Sequence, residues 1–376
     1  MSNNSNTLFW VICGAVIVTT IFLLISSNYG DGLSKVFGNF NSLFNNGGSV
    51  ENSELAKYYN HEPNYKDLVI TPESDFVFNE ETREISGYRG NKNKIVIPYE
   101  INGIPVEKIS YIGFGIMESH WGMCYMERDM YFWDHGNYDG WYEYAIQRGL
   151  LVDNNGNCYS LAILNEVVIP NTVKVIGYGS FYYQEINDIN IPNSVEEIGE
   201  VAFQYATLGG EYIASSNIKK IGEYAFQGSR LTKVDLSKAE KLTNIGRYAF
   251  SENQISNKVI IPKNILEIGQ GAFSGNQISE VDLSKSTKLN IIESGVFNVN
   301  KLTSIEIPNN IIEVGGYAFS NNQITEAKIL GTNTVIRSEV FYQNNNLNTI
   351  KVPNSAYDFY RSQSSLSQYI IERGDF

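Results

Sequence analysis

Apolar residues return along this chain at one long beat. The hexads Ile198-Gly-Glu-Val-Ala-Phe203, Ile221-Gly-Glu-Tyr-Ala-Phe226, Ile245-Gly-Arg-Tyr-Ala-Phe250 and Ile268-Gly-Gln-Gly-Ala-Phe273 are copies of one unit. Its terminal Phe stands at 181, 203, 226, 250, 273, 297, 319 and 341, so successive units are 22 to 24 residues long. A period this regular predicts a solenoid, in which each coil completes its core only against its neighbours. Upstream of each hexad lies an apolar triplet spaced three then two, as in Leu231, Val234, Leu236 and in Leu302, Ile305, Ile307. The last two positions alternate as a short strand does when one face is buried. Pro follows at 170, 192, 262, 308 and 353, where a residue without an N–H ends the ladder.

Pairs such as Val195 with Ile198 and Ile311 with Val314 begin the return side of each coil, and stacking places Phe over Phe. Asn253, Asn276 and Asn322, just before the strands, are read as satisfying backbone groups at the bend. Ile95 and Ile97 before Pro98, then Val106, Ile109 and Phe114, form a degenerate first unit, giving about nine coils over residues 92–353. One unit departs from the pattern: Phe203 is followed by Leu208, Glu211 and Ile213 with no Pro, which predicts a local bulge. Residues 65–91, with Phe76, Phe78, Ile85 and Tyr88 around Glu80-Glu81-Thr82, predict a hairpin over the first coil. Residues 354–376, with Tyr357, Tyr360 and Tyr369, predict a helical cap over the last. Unpaired ladder edges would otherwise recruit other strands.

Residues 8–25 carry no charge and would span roughly 27 Å as a helix, against a hydrocarbon core of about 30 Å. Residues 1–28 therefore read as an N-terminal transmembrane anchor that uses the lipid bilayer as partner. A cleaved signal peptide is the alternative, but no Lys or Arg precedes the apolar run. Residues 29–64, with Asn45-Asn46-Gly47-Gly48-Ser49, read as a flexible linker. The formal charge of −13, from 28 basic and 41 acidic residues, argues against nucleic acid, whose binders present basic faces.

Phe114 and Phe181 are 67 residues apart, so a 22-residue unit leaves an insertion of about 45 residues, at roughly 116–160. It concentrates Trp121, Tyr131, Trp133, Trp141 and Tyr142, the residues expected to contact a ligand if they are exposed; the alternative is that they pack into a small core of their own. A helix is expected from Asp139 to Leu150. Cys124 and Cys158 either pair, closing a loop for about 3 to 4 kcal/mol, or remain two reduced thiols. His120, His135, Asp134 and Asp139 match no ligand spacing, so neither a metal nor another cofactor is expected. From residue 166 onward there is no His or Cys, which leaves the repeats without a nucleophile–base pair. Their expected contact set is the solvent side of the strands: Thr232, Lys233, Asp235, Glu280, Asp282, Thr303 and Glu306.

The unit written out in residues 189–203, strand-Pro-Asn-Ser-Val-x-x-Ile-Gly-x-x-Ala-Phe, resembles the BspA-like bacterial leucine-rich repeats. The resemblance implies surface display and binding, with the C-terminal bulk outside the cell and an extracellular protein or glycan as partner. It names no ligand. A structural envelope protein that associates laterally is the rival expectation.

Overall fold

The computed structural model describes residues 58–59, 69–88, 90, 92–110, 151–152, 158–159 and 164–376, all within one compact unit, Ala56–Phe376. The anchor expected at residues 1–28 and most of the linker expected at 29–64 lie outside the described residues; Tyr58 and Tyr59, within that linker, are instead packed on the first coils, Tyr58 stacked on Tyr99 at 4.0 Å and the buried Tyr59 donating to the Ile97 carbonyl at 2.8 Å. Among the described residues no helix is long and apolar enough to cross a membrane.

The chain winds as a coil with two ladders in which successive turns pair in parallel. The front ladder takes one strand per turn, from Lys94–Val96, Glu166–Val168 and Asp188–Asn190 through Glu211–Ile213, Lys233–Asp235, Val259–Ile260, Val281–Asp282, Ser304–Ile307 and Glu326–Ile329 to Thr349–Pro353 and Ile370–Gly374. The return ladder runs from Glu84–Tyr88 and Lys108–Ile109 through Val175–Ile176, Glu197–Ile198, Lys220–Ile221, Asn244–Ile245 and Glu267–Ile268, and then through Ile291–Ile292, Glu313–Val314 and Val335–Ile336. The β-solenoid reading holds, but the described residues contain eleven front strands rather than nine. The Phe count missed Thr349–Pro353 and Ile370–Gly374 because neither is followed by a coil that ends on Phe.

Both ladders close directly across the insertion. Ile95 is in register with Val167 and Ile109 with Ile176, so the coils on either side of the insertion stack directly on one another. At the N-terminal end Phe76–Asn79 pairs antiparallel with Glu84–Tyr88, whose Ile85 is in register with Ile109.

Three columns hold the coils together. The eight Phe from 181 to 341 stack with ring centroids 5.1 to 6.0 Å apart and planes within 17°. The glycine of each Ile-Gly step lies against the backbone of the coil before it: a Cβ on Gly222 would stand 2.6 Å from Gly199 C, and one on Gly269 2.8 Å from Arg247 Cα. The third column is asparagine. Asn253, Asn276, Asn300, Asn322 and Asn344 each accept from a backbone N–H of the preceding coil, those of Leu231, Ile255, Ile278, Leu302 and Ile324. Each amide also donates to the Phe carbonyls of its own and the preceding coil, as Asn276 does to Phe273 and Phe250. At the same step earlier in the stack the Ser229 side chain makes one described bond, donating to the Phe203 carbonyl at 2.6 Å.

The C-terminal end is only partly helical. Tyr357–Ser362 is a single short helix, and Ile370–Gly374 returns to the front ladder in parallel with Thr349–Pro353. Tyr360 enters the core, and side chains replace the missing neighbour of Val335–Ile336: Gln363 accepts from the Ile336 N–H at 2.8 Å and donates to the Thr334 carbonyl at 3.1 Å, while the Ser365 hydroxyl donates to the Ile336 carbonyl. Of the segment expected as a helical cap, Asn354–Ala356, Tyr357–Ser362 and Ser364–Leu366 form short helical turns that carry the side chains closing the return edge, while Ile370–Gly374 departs from the expectation as a strand, which a β-branched Ile370-Ile371 pair suits.

Candidate binding surface

Trp121, Tyr131, Trp133, Trp141, Tyr142 and Cys124 lie outside the described residues, as does the helix expected from Asp139 to Leu150. Of the insertion, Leu151–Val152 and Cys158–Tyr159 are described and pair antiparallel, with Cys158 opposite Val152.

The strand residues singled out on the repeats do face solvent on the front ladder, where Lys233, Glu280 and Asp282 are paired with charges of neighbouring coils. Lys233 pairs with Glu211 of the preceding strand at 2.8 Å, and Lys258 bridges Glu280 at 2.6 Å and Asp282 at 3.5 Å. The two aspartates are committed to the turns that end their strands. Asp235 accepts from the Ser237 N–H and Asp282 from the Ser284 N–H and hydroxyl, and these donors hold both carboxyls below the usual range.

A different surface emerges at the corner around each Phe. The residues two before and two after every Phe of the column have φ between 50° and 70°: 179 and 183, 201 and 205, 224 and 228, 248 and 252, 271 and 275, 295 and 299, 317 and 321, 339 and 343. The corner is held by backbone bonds between coils, such as Tyr224 N–H to Arg247 O at 2.8 Å, Phe226 N–H to Ala249 O at 2.7 Å and Gly228 N–H to Ser251 O at 3.0 Å. Left-handed backbone favours glycine, and a side chain there costs about 1–2 kcal/mol. The chain nevertheless places Tyr183, Tyr205, Tyr224, Tyr248 and Tyr317 at such positions. These rings run along the stack in short rows. Tyr183 and Tyr205 lie 5.0 Å apart, with Tyr182 against Tyr183 at 4.5 Å. Tyr224 and Tyr248 stack at 5.4 Å, with the Arg247 guanidinium 5.1 Å from the Tyr248 ring centre. Tyr317 and Tyr342, each 46% exposed, make an edge contact at 6.4 Å.

The chemistry of this corner is that of an amphipathic contact face. Burial and the neighbouring Tyr183 push the Tyr182 phenol up, burial and Glu252 do the same to Tyr205, and a hydrogen bond with Glu339 raises Tyr317, so all three stay protonated donors. Glu200 is raised by partial burial and by Glu223 beside it. Among the described residues no group of three or more His, Cys, Asp or Glu could hold a metal. Hydrophobic periodicity could not reveal the tyrosine rows, because these side chains do not enter the core. The available signal was that Tyr alternates with Gly at one step of the repeat, as at Tyr248 and Gly271.

The family model for the BspA type leucine-rich repeat region matches in six copies, over residues 155–277 and 219–348. No curated protein matches. Among solved structures, the chain is similar to a leucine-rich repeat protein from Bacteroides ovatus, at 19% identity and a TM-score of 0.41 over 82% of this chain and 76% of that one. It is similar to the pneumococcal vaccine antigen PcpA at 15% identity and a TM-score of 0.41, over 73% and 78%. A leucine-rich cell surface protein from Faecalibacterium prausnitzii is 18% identical with a TM-score of 0.35, over 84% and 96%.

Proposed function

Because this chain belongs to the BspA type leucine-rich repeat family, we propose that it is a non-enzymatic binding protein of the cell surface, held to the bilayer by residues 8–25 and presenting its coils to an extracellular protein or glycan. The observation that carries this reading is the set of tyrosines at left-handed corner positions. A side chain kept where glycine would relieve strain, and which adds little to the core, is accounted for by what it touches outside. Tyr supplies large contact area at low conformational cost, with a hydroxyl that can donate to a sugar or a peptide carbonyl. Trp121, Tyr131, Trp133, Trp141 and Tyr142 are proposed as a second aromatic contact set on the insertion. Catalysis is not part of the proposal, since no described acid, base and nucleophile converge.

The test is capture of the full-length chain by extracellular matrix proteins and bacterial wall glycans. Three forms are compared: wild type, the double variant Tyr183→Gly/Tyr205→Gly, and a form with residues 116–160 replaced by a short Gly-Ser link. Capture lost in the double variant, with cooperative unfolding retained, supports the corner; capture lost in the replaced form supports the insertion. No capture by wild type, together with concentration-dependent self-association, would sink the binding reading in favour of lateral assembly.

A further inference from the structure

Among the described residues the front ladder is interrupted at three steps, between Asp188–Asn190 and Glu211–Ile213, between Lys233–Asp235 and Val259–Ile260, and between Val281–Asp282 and Ser304–Ile307; at the first, the return ladder and the Phe column run through the same coils unbroken. The opening is a cleft of about 300 Å³ whose walls include Ile189, Ile191, Gly210 and Tyr212, with Phe226 from the next coil. Ile189 and Ile191 are the strand positions that Val234 and Leu236 occupy two coils on. There both side chains are 1% exposed, whereas Ile189 and Ile191 are only half-buried.

The molecule contains its own control for this gap. The coil of Phe203 and the coil of Phe250 each carry one extra residue before the strand, so that Tyr212 and Val259 both fall nine residues after Phe. In the second coil the residue at the extra step is Asn257. Its side-chain amide accepts from the Val234 N–H at 3.1 Å and donates to the Val234 carbonyl at 2.9 Å, filling the ladder. In the first coil the equivalent residue is Gly210, which has no side chain. No described hydrogen bond crosses from Ile189 to the Gly210 segment.

We propose that this cleft binds an extended peptide of a partner protein, laid along the open edge of Asp188–Asn190 with an aliphatic side chain in the cleft. A backbone N–H and C=O supply what the Asn257 amide supplies in the sister coil, and strand addition to an open edge is a general mode of peptide recognition. Charge selects the peptide further. Glu211, the one charged side chain described along the cleft, is already paired with Lys233, so the selection comes from the chain as a whole: a net charge of −13 favours a basic segment of another protein over a second copy of this chain. This site is separate from the tyrosine corner and does not depend on that reading.

The probe is a fluorescent acetyl-Lys-Val-Thr-Val-Thr-Val-Lys-amide, titrated into the full-length chain and followed by anisotropy. Binding should be saturable, should slow hydrogen exchange at the Ile189 amide, and should weaken at least tenfold when Pro replaces the central Val. Gly210→Asn installs the amide of the sister coil, and the space is free, since a Cβ there meets nothing closer than Leu208 O at 3.9 Å. That variant should weaken binding at least tenfold, Gly210→Ala should leave it unchanged, and Asn257→Gly should create a second site. Absence of saturable binding, or equal binding by Gly210→Asn, overturns the proposal. Binding that appears only when residues 116–160 are replaced overturns it in favour of the insertion as occupant. Self-association lost in Gly210→Asn overturns it in favour of a second copy.

Discussion

Replacing Asn276 by Ala tests the polar column where its partners are fully described. The side chain accepts from the Ile255 N–H at 3.1 Å and donates to the Phe250, Phe273 and Ser274 carbonyls at 2.9, 3.1 and 3.3 Å. The losses are unequal. Phe250 O keeps the Asn253 amide, Phe273 O keeps that of Asn300, and Ser274 O keeps the Glu252 N–H. The Ile255 N–H has no other partner and is buried. One orphaned buried donor costs about 1–3 kcal/mol, and the weakened carbonyl bonds add about 1 kcal/mol more, so Asn276→Ala should destabilise by about 2–4 kcal/mol. Asn276→Asp keeps the acceptor but points a carboxylate at three carbonyl oxygens. Its folded-state pKa is then raised, so it should be least damaging below the ordinary carboxylate pKa of about 3.9 and worsen as pH rises. Equilibrium urea unfolding gives the magnitudes, and exchange at the Ile255 amide locates the damage. A cost under about 1 kcal/mol for Ala, or an Asp variant equal to wild type at neutral pH, would refute the satisfaction argument.

Three further outcomes follow from the packing. Phe250→Ala removes a ring stacked at 5.2 Å on Phe226 and 5.3 Å on Phe273 and should cost about 3–5 kcal/mol by the same unfolding assay. Gly246→Ala drives a Cβ into the Gly222 and Glu223 backbone and should cost more than Gly275→Ala, where a left-handed φ of 70° is strained but the nearest atom is 3.5 Å away; equal midpoints would contradict the close-approach account. The Asp282 carboxyl is lowered chiefly by its Ser284 hydrogen bond, so its contribution is present above the unfolded pKa and lost as pH falls through the folded one. The stability gap between wild type and Asp282→Asn should therefore be constant near neutral pH and narrow as pH falls below the ordinary carboxylate value of about 3.9, as read from denaturant midpoints.

The Phe and Ile-Gly columns were legible because they are core positions, and burial enforces a strict period on them. The asparagines were legible in part: Asn253, Asn276 and Asn322 stood out through the shared Asn-Gln-Ile, while Asn300 and Asn344 do the same work inside Asn-Lys-Leu and Asn-Asn-Asn-Leu. The corner tyrosines were not legible, since a bulky residue at positive φ runs against local preference and only the bonds between coils impose it. The break at Gly210 was signalled by the missing Pro and the irregular spacing after Phe203. Its counterpart at Asn257 could not be anticipated, because a side chain standing in for a strand leaves no mark on the hydrophobic pattern. Of the aromatic insertion, only the two short strands at its C-terminal side fall within the described residues.

The parallel ladder bonds, the corner bonds between coils and two of the bonds of each column asparagine point from one coil to the next, along the direction in which the coils stack. Tension applied between the two ends of the stack would load these bonds one interface after another rather than all at once. Yielding would then proceed coil by coil from whichever end is pulled. A coil of 22 to 24 residues releases about 75 Å of chain when drawn out, in exchange for the roughly 4.8 Å it occupied. Under such tension the stack would lengthen in even steps whose size is set by the repeat.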